Sequence, residues 1–155
     1  MLFLSLFALI PLLISAEQIV FSQQEGRQVQ IDDCGNGKLA IHDVTVYSDP
    51  YPPQRGQNVA INITAKLNRN ITEGMTYEAS VKMGFIRFPL ITGDLCKAAE
   101  DPNSPIHCPI AAGDFHTSVS VGIPKGIPAT KYQVNVKVKS GNDMIGCLNT
   151  NLPLA

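Results

Sequence analysis

The sequence predicts an all-β fold, a sandwich of about seven strands in one domain. Three observations carry the prediction. Apolar and polar residues alternate with a period of two along several separate segments. Glycine and proline are frequent, 12 and 11 in 155 residues, which suits short strands joined by turns. No long segment repeats its apolar positions every 3.6 residues, so helices have little part.

The elements follow in chain order. Met1 to Ala16 carries no charged side chain, and its apolar run falls short of the ~20 residues that span a bilayer. Ending in Ser15 and Ala16, it reads as a secretory signal peptide cleaved after Ala16. Residues 17–33 are polar and rich in glutamine (Gln18, Gln23, Gln24, Gln28, Gln30); they read as a short propeptide or an unstructured lead-in. The domain proper is then 34–155. Its first strand holds Leu39, Ile41, Val44 and Val46, whose phase shifts between Ile41 and Val44, predicting a bulge near His42-Asp43. After the turn Asp49-Pro50-Tyr51-Pro52-Pro53, apolar residues occupy 59, 61, 63, 65 and 67, with Asn62, Thr64 and Lys66 on the other face. Tyr77 to Phe85, Phe115 to Val121 and Tyr132 to Val138 alternate in the same way, and Met144 to Asn151 closes the set. Turn clusters at Arg69 to Gly74, Asp101 to Pro105, Lys125-Gly126 and Ser140 to Asp143 separate them.

Charge and cysteine content restrict the function. Lys and Arg number 12 against 13 Asp and Glu, a net charge of -1, so nucleic-acid binding has no electrostatic basis and no polybasic run is present. Cys34, Cys96, Cys108 and Cys147 imply two disulfides among three connectivities in an oxidising compartment. The nested connectivity would tie the two ends of the domain together and close one local loop. A metal site lacks support, since no C-x-x-C pair occurs. Asn62-Ile63-Thr64 and Asn70-Ile71-Thr72 are glycosylation sequons, Asn62 on the outward face of its strand and Asn70 in a turn. The motifs G-x-S-x-G, H-E-x-x-H and G-x-x-x-x-G-K are absent, and His42, His107 and His116 are scattered. No enzyme activity, cofactor or metal is expected.

Two loops break the usual polarity. Phe85-Ile86-Arg87-Phe88-Pro89-Leu90-Ile91 and Ile123-Pro124-Lys125-Gly126-Ile127-Pro128 are apolar where sandwich loops are normally polar. They read either as caps on a filled core or as the rim of a pocket or lipid-touching patch.

At this point the residues reach a resemblance. Cys34 with Leu39-Ala40-Ile41, the P-x-P-P-x-x-G-Q run Pro50 to Gln57, Cys96-Lys97, His107-Cys108-Pro109, Ile123 to Pro128, and Cys147-Leu148 together resemble the ML lipid-recognition domain. That family includes the fungal phosphatidylglycerol/phosphatidylinositol transfer proteins and the Niemann-Pick type C sterol carrier. The resemblance covers Cys34 to Leu152. It implies an immunoglobulin-like two-sheet sandwich with a lipid pocket between the sheets, and the nested pairs Cys34–Cys147 and Cys96–Cys108. A third local disulfide, common in relatives after the first cysteine, has no counterpart here. The implied lining comprises Val59, Ile61, Ile63, Val81, Met83, Phe85, Val119, Val121, Val134 and Val136, with Phe88-Pro89 and Ile127-Pro128 at the entrance.

The expected function is a monomeric, soluble lipid carrier of the secretory pathway, extracellular or in a vacuole or lysosome lumen. It would hold one anionic phospholipid or sterol and touch membranes briefly, with Arg87, Lys97 or Lys125 pairing with a phosphate. Protonation of the three histidines would turn the formal charge from -1 to positive and favour anionic membranes. The competing readings are a lipid-presenting co-receptor and an adhesion sandwich with a filled core.

Overall fold

The alternating segments become the long strands of two antiparallel sheets in a computed structural model that describes residues 26–99 and 106–155. The expected leader Met1 to Ala16, the polar segment up to residue 25 and the turn Asp101 to Pro105 lie outside the described residues. One sheet contains β1 (Arg27–Val29), β3 (Ile41–Asp49), β4 (Asn58–Leu67) and β8 (Gly113–Gly122), in the order β1-β3-β4-β8. The other is ordered β2-β10-β9-β5-β6: β2 (Ile31–Asp33), β10 (Asp143–Pro153), β9 (Lys131–Ser140), β5 (Met75–Met83) and β6 (Ile86–Arg87), with β7 (Ile91–Asp94) also paired to β5. A single short helix, α1 (Leu95–Ala99), follows β7 among the described residues.

Each long strand matches an alternating segment of the sequence, while the count of about seven strands is corrected upward by short elements that the pattern does not mark. Arg27 to Asp33, within the expected lead-in, joins both sheets: Arg27 pairs with Ser48 and Asp32 with Asn149. Three-residue strands are too short to show a period, and the sheet edge they join decides them. The expected bulge is present. Register passes from His42↔Lys66 to Thr45↔Thr64, with Asp43 at φ 50°, so Ile41 and Val44 both turn inward despite their odd spacing. β5 ends two residues earlier than the alternation suggests. Gly84, at φ 57°, opens a two-residue turn that pairs Met83 with Ile86, so Phe85 sits at its tip in solvent.

The two ends of the sandwich differ. At one end Leu67, Ile71, Met75, Cys96 and Ile145 form a buried cluster. The Cys96–Cys108 disulfide and a two-way bridge between Ile71 and Ile110, N–O distances 2.8 and 2.9 Å, hold Cys96, Cys108 and Ile110 against it. We call this the clamped end. At the opposite, hairpin end, Tyr132 is buried and donates its hydroxyl to the Pro128 carbonyl at 2.8 Å. Gly56 from the Pro50 to Gln57 run lies there at φ 74°, and a Cβ on it would fall 2.5 Å from Cγ of Lys125, so a side chain there would strain the backbone and displace Lys125.

The second disulfide, Cys34–Cys147, closes 113 residues of sequence and joins the start of the domain to β10. Closing so long a loop restricts the unfolded chain, worth up to ~4.7 kcal/mol on the chain-entropy account. The paired substitutions Cys34→Ser and Cys147→Ser should therefore lower the unfolding free energy by about 2–5 kcal/mol, measured by urea denaturation.

Candidate functional site

Between the sheets lies a half-enclosed cavity of about 360 Å³, within the ~300–1,000 Å³ range of small-molecule sites. Strand phase builds most of its wall. Ile41 and Val44 come from β3, Ile63, Ala65 and Leu67 from β4, and Phe115, Thr117 and Val119 from β8. Val138 and Leu148 face them from the other sheet, and Ile71, Leu95, Ala98, Ile106 and Ile110 close the clamped end. No side chain of this wall is ionisable, so the site has no group for acid–base or nucleophilic work. What it can do is remove an apolar molecule from water.

The helical part of the wall is set by Asp94. Its Oδ1 accepts the N–H groups of Cys96 at 2.9 Å and Lys97 at 3.0 Å, capping α1 and turning Leu95 and Ala98 toward the cavity. The Lys97 N–H above all, aided by the Cys96 and Gly74 N–H groups and the Lys97 charge, holds the Asp94 carboxyl below its ordinary value of 3.8 against a smaller opposing effect of burial. Thr117 supplies the wall's hydroxyl. It is 5% exposed and its Oγ1 is buried with no hydrogen-bond partner among the described residues, a cost of about 1–3 kcal/mol to the fold.

Of the residues expected to line a pocket, Ile63 and Val119 are in this wall. Val59 is buried, and Ile61, Val81, Met83, Val134 and Val136 are half-buried, all outside it. Phe85 is fully exposed at the hairpin tip; Phe88, Pro89, Val121 and Pro128 are exposed as well, and Ile127 is half-buried. The expected entrance pair does converge. Phe88 lies 6.3 Å, ring to ring, from Tyr132, whose hydroxyl reaches Pro128, but this meeting point is at the hairpin end. The cavity instead extends toward the clamped end, because Leu95, Ala98, Ile106 and Ile110 roof that half while Val59 and Tyr132 fill the other. Ala65, Leu67, Phe115 and Val138 share the phase of the residues singled out and were legible in that sense. For Leu95, Ala98, Ile106 and Ile110 the signal was only their place around a Cys-bounded loop.

The polar candidates separate similarly. Arg87 and Lys125 are exposed at the hairpin end, whereas Lys97 is on α1 at the clamped end. His42 meets Asp43 at 3.4 Å and Asn68 at 3.2 Å. His116 pairs with Thr64 and His107 adjoins Cys108, so all three histidines are far from the hairpin. Asn62 is half-buried and accepts the Ser118 hydroxyl; Asn70 is exposed and accepts the Ala112 N–H at 2.8 Å.

Thr117→Val should raise the unfolding free energy by about 1–3 kcal/mol, read by urea denaturation. The depressed Asp94 carboxyl contributes stability that is full above its unfolded value of 3.8 and is lost as pH falls through its lower folded value. Asp94→Ala should remove that part of the acid dependence, visible as a shallower fall of melting temperature below about pH 4.

The chain is similar to several known proteins. The phosphatidylglycerol/phosphatidylinositol transfer protein of Mycosarcoma maydis is 26% identical over 157 aligned positions, covering 89% of this chain and 81% of the relative. Its namesake in Yarrowia lipolytica is 35% identical over 105, covering 67% of this chain and 54% of the relative. Among solved structures, a Niemann-Pick type C2 protein from Japanese carpenter ant superposes with a TM-score of 0.60 at 15% identity, covering 81% of this chain and 99% of that one. Chicken MD-1 complexed with lipid IVa gives 0.57 at 14%, covering 83% and 98%. These two show a shared fold. The profile of the ML domain matches residues 28–154, and the chain therefore belongs to the ML-domain family.

Proposed function

We propose that the protein is a non-enzymatic carrier that takes single lipids out of water and moves them between membranes. The cavity carries this reading: an apolar, half-enclosed space of about 360 Å³ between the sheets, with no ionisable side chain in its wall. Each methylene transferred from water gains ~0.8 kcal/mol, so about ten give ~8 kcal/mol before association costs, the scale of micromolar binding. The effect has no direction, so the wall favours apolar chains over any one lipid. Phosphatidylglycerol, phosphatidylinositol or a sterol are the ligands to test first, since two relatives are named for transfer of the first two.

Two disulfides support maturation in an oxidising compartment, in keeping with the expected leader and with glycans on Asn62 and Asn70. The co-receptor reading gains from one observation, the exposed apolar run Phe85 to Ile91, which a protein partner or a membrane would cover.

The test is to express the full chain in a secretory host, extract the purified protein with organic solvent and identify bound lipid by mass spectrometry. Near-stoichiometric phospholipid or sterol is expected. Ala65→Phe, which projects a ring from β4 into the cavity, should abolish uptake of a fluorescent lipid while leaving the far-ultraviolet circular dichroism unchanged. A lipid-free protein that also refuses added lipid would overturn the carrier reading.

A further inference from the structure

The two flanks of the sandwich are built differently. On one, the chain itself passes between the sheets, as Arg27–Val29 pairs with β3 and Ile31–Asp33 with β10. β3 also lies against β2 and β10 of the opposite sheet, and Val29 in this crossover is 4% exposed. On the other flank the outermost strands are β8 in one sheet and β6 with β7 in the other. There β8 is in extended contact with β4 alone among the described strands.

Register shows that this second flank gapes. Cross-strand partners point to the same face of a sheet. Val121 pairs with the buried Val59, and Ile91 pairs with Ala79, which is joined through Val136 to Leu148 of the cavity wall. Both therefore point between the sheets, yet Val121 is 40% exposed and Ile91 54%. An inward side chain of a sandwich stays in water only where the opposite sheet does not cover it. The gap is bounded at each end. Toward the hairpin Phe88, whose N–H donates to the Val81 carbonyl at 3.0 Å, leans on Tyr132. Toward the clamped end Tyr77 lies over Gly93 of β7, where a Cβ would fall 2.8 Å from its hydroxyl. Behind the gap is the cavity. Ile91 is level with Ala79, four residues before the end of β5, and Val119 of the wall is three before the end of β8, so the two edges carry them at similar height. Ala98 of α1, which directly follows β7, is in the wall and exposed as well.

We propose that the flank between β8 and β7 is the port through which the apolar chain of a single lipid enters and leaves the cavity, with Ile91, Val119 and Val121 as its lips. The entrance then lies at mid-strand, not at Phe88-Pro89 and Ile127-Pro128. Apolar lips let a hydrocarbon chain slide between the sheets without passing a charged group. The outer edge of β8 leaves alternate N–H and C=O groups unpaired by β4, and these can bond a hydroxyl or carbonyl at the polar end of the lipid while its tail lies inside. The proposal deepens the carrier reading by naming the ligand's route, and rests on that reading. A port governs rates, whereas the cavity governs affinity, so the two separate experimentally.

The test plugs the port. Val121→Trp and Ile91→Trp are made in the full-length secreted protein, and stopped-flow fluorescence follows uptake and release of a monomeric fluorescent phosphatidylglycerol. Each should slow both rates about tenfold while the Kd stays within about twofold of wild type. Met144→Trp, exposed on β10 away from the flank, should change neither rate, and circular dichroism checks each fold. The chain has no tryptophan of its own, so each new indole is a single reporter; in the lipid-free protein acrylamide should quench those at 91 and 121. The port is overturned by seam variants that keep wild-type rates, by slowing in Ile127→Trp instead, or by an affinity loss carried by release alone, which would make the flank part of the ligand's seat. Indoles shielded in a dimer would overturn it too, since a second copy would then cover the flank. Wild-type uptake with unslowed seam variants sinks the port alone; a wild type that takes up no lipid sinks the carrier reading and the port with it.

Discussion

The Cys96–Cys108 disulfide and the paired hydrogen bonds between Ile71 and Ile110 hold α1 and the segment around Ile110 against one end of the sandwich, and the cavity depends on that hold. Two sheets alone would either close on each other or gape at their edges. Here Leu95, Ala98, Ile106 and Ile110 are carried over the gap, so the space is roofed by apolar side chains without being filled. The Asp94 cap aims α1, and Cys96 itself is buried within the cluster. The clamp is covalent, and Cys96 packs within the buried cluster beside the residues of the roof.

The opposite end is organised by different physics. Val59 and Tyr132 fill the interior there, and what remains apolar faces outward on the β5–β6 hairpin. A protein that leaves Phe85 and its neighbours in water gives up part of the stabilisation that burial would bring. Among the described residues no ion pair involves Arg55, Arg87 or Lys125 at this end, whereas the pairs of Asp43 with Lys66 and of Glu78 with Lys139 lie elsewhere. The apolar cavity and the exposed apolar hairpin thereby fall toward opposite ends of one fold.

The long strands were legible because alternation is a local property: each of β3, β4, β5, β8, β9 and β10 carries its own period of two. Even the bulge at Asp43 appeared as a shift between Ile41 and Val44. Phe85 was misplaced because alternation continues past Gly84, while the positive φ of that glycine turns the chain. β1 and β2 escaped notice since three residues carry no period and their existence depends on the edges they join.

The sequence by itself determined which face of each long strand is apolar, that four cysteines would pair, and which family the motifs resemble. Those are local or compositional facts. Only the tertiary structure decided which half of the sandwich holds the cavity, that Ile63 and Val119 rather than Val59 and Val134 border it, and that cations scattered from Arg27 to Lys131 meet at one end. An inward residue looks the same in sequence whether it faces another side chain or an empty space. Strand register, set by long-range pairing, brings distant charges together in a chain whose net charge is only -1.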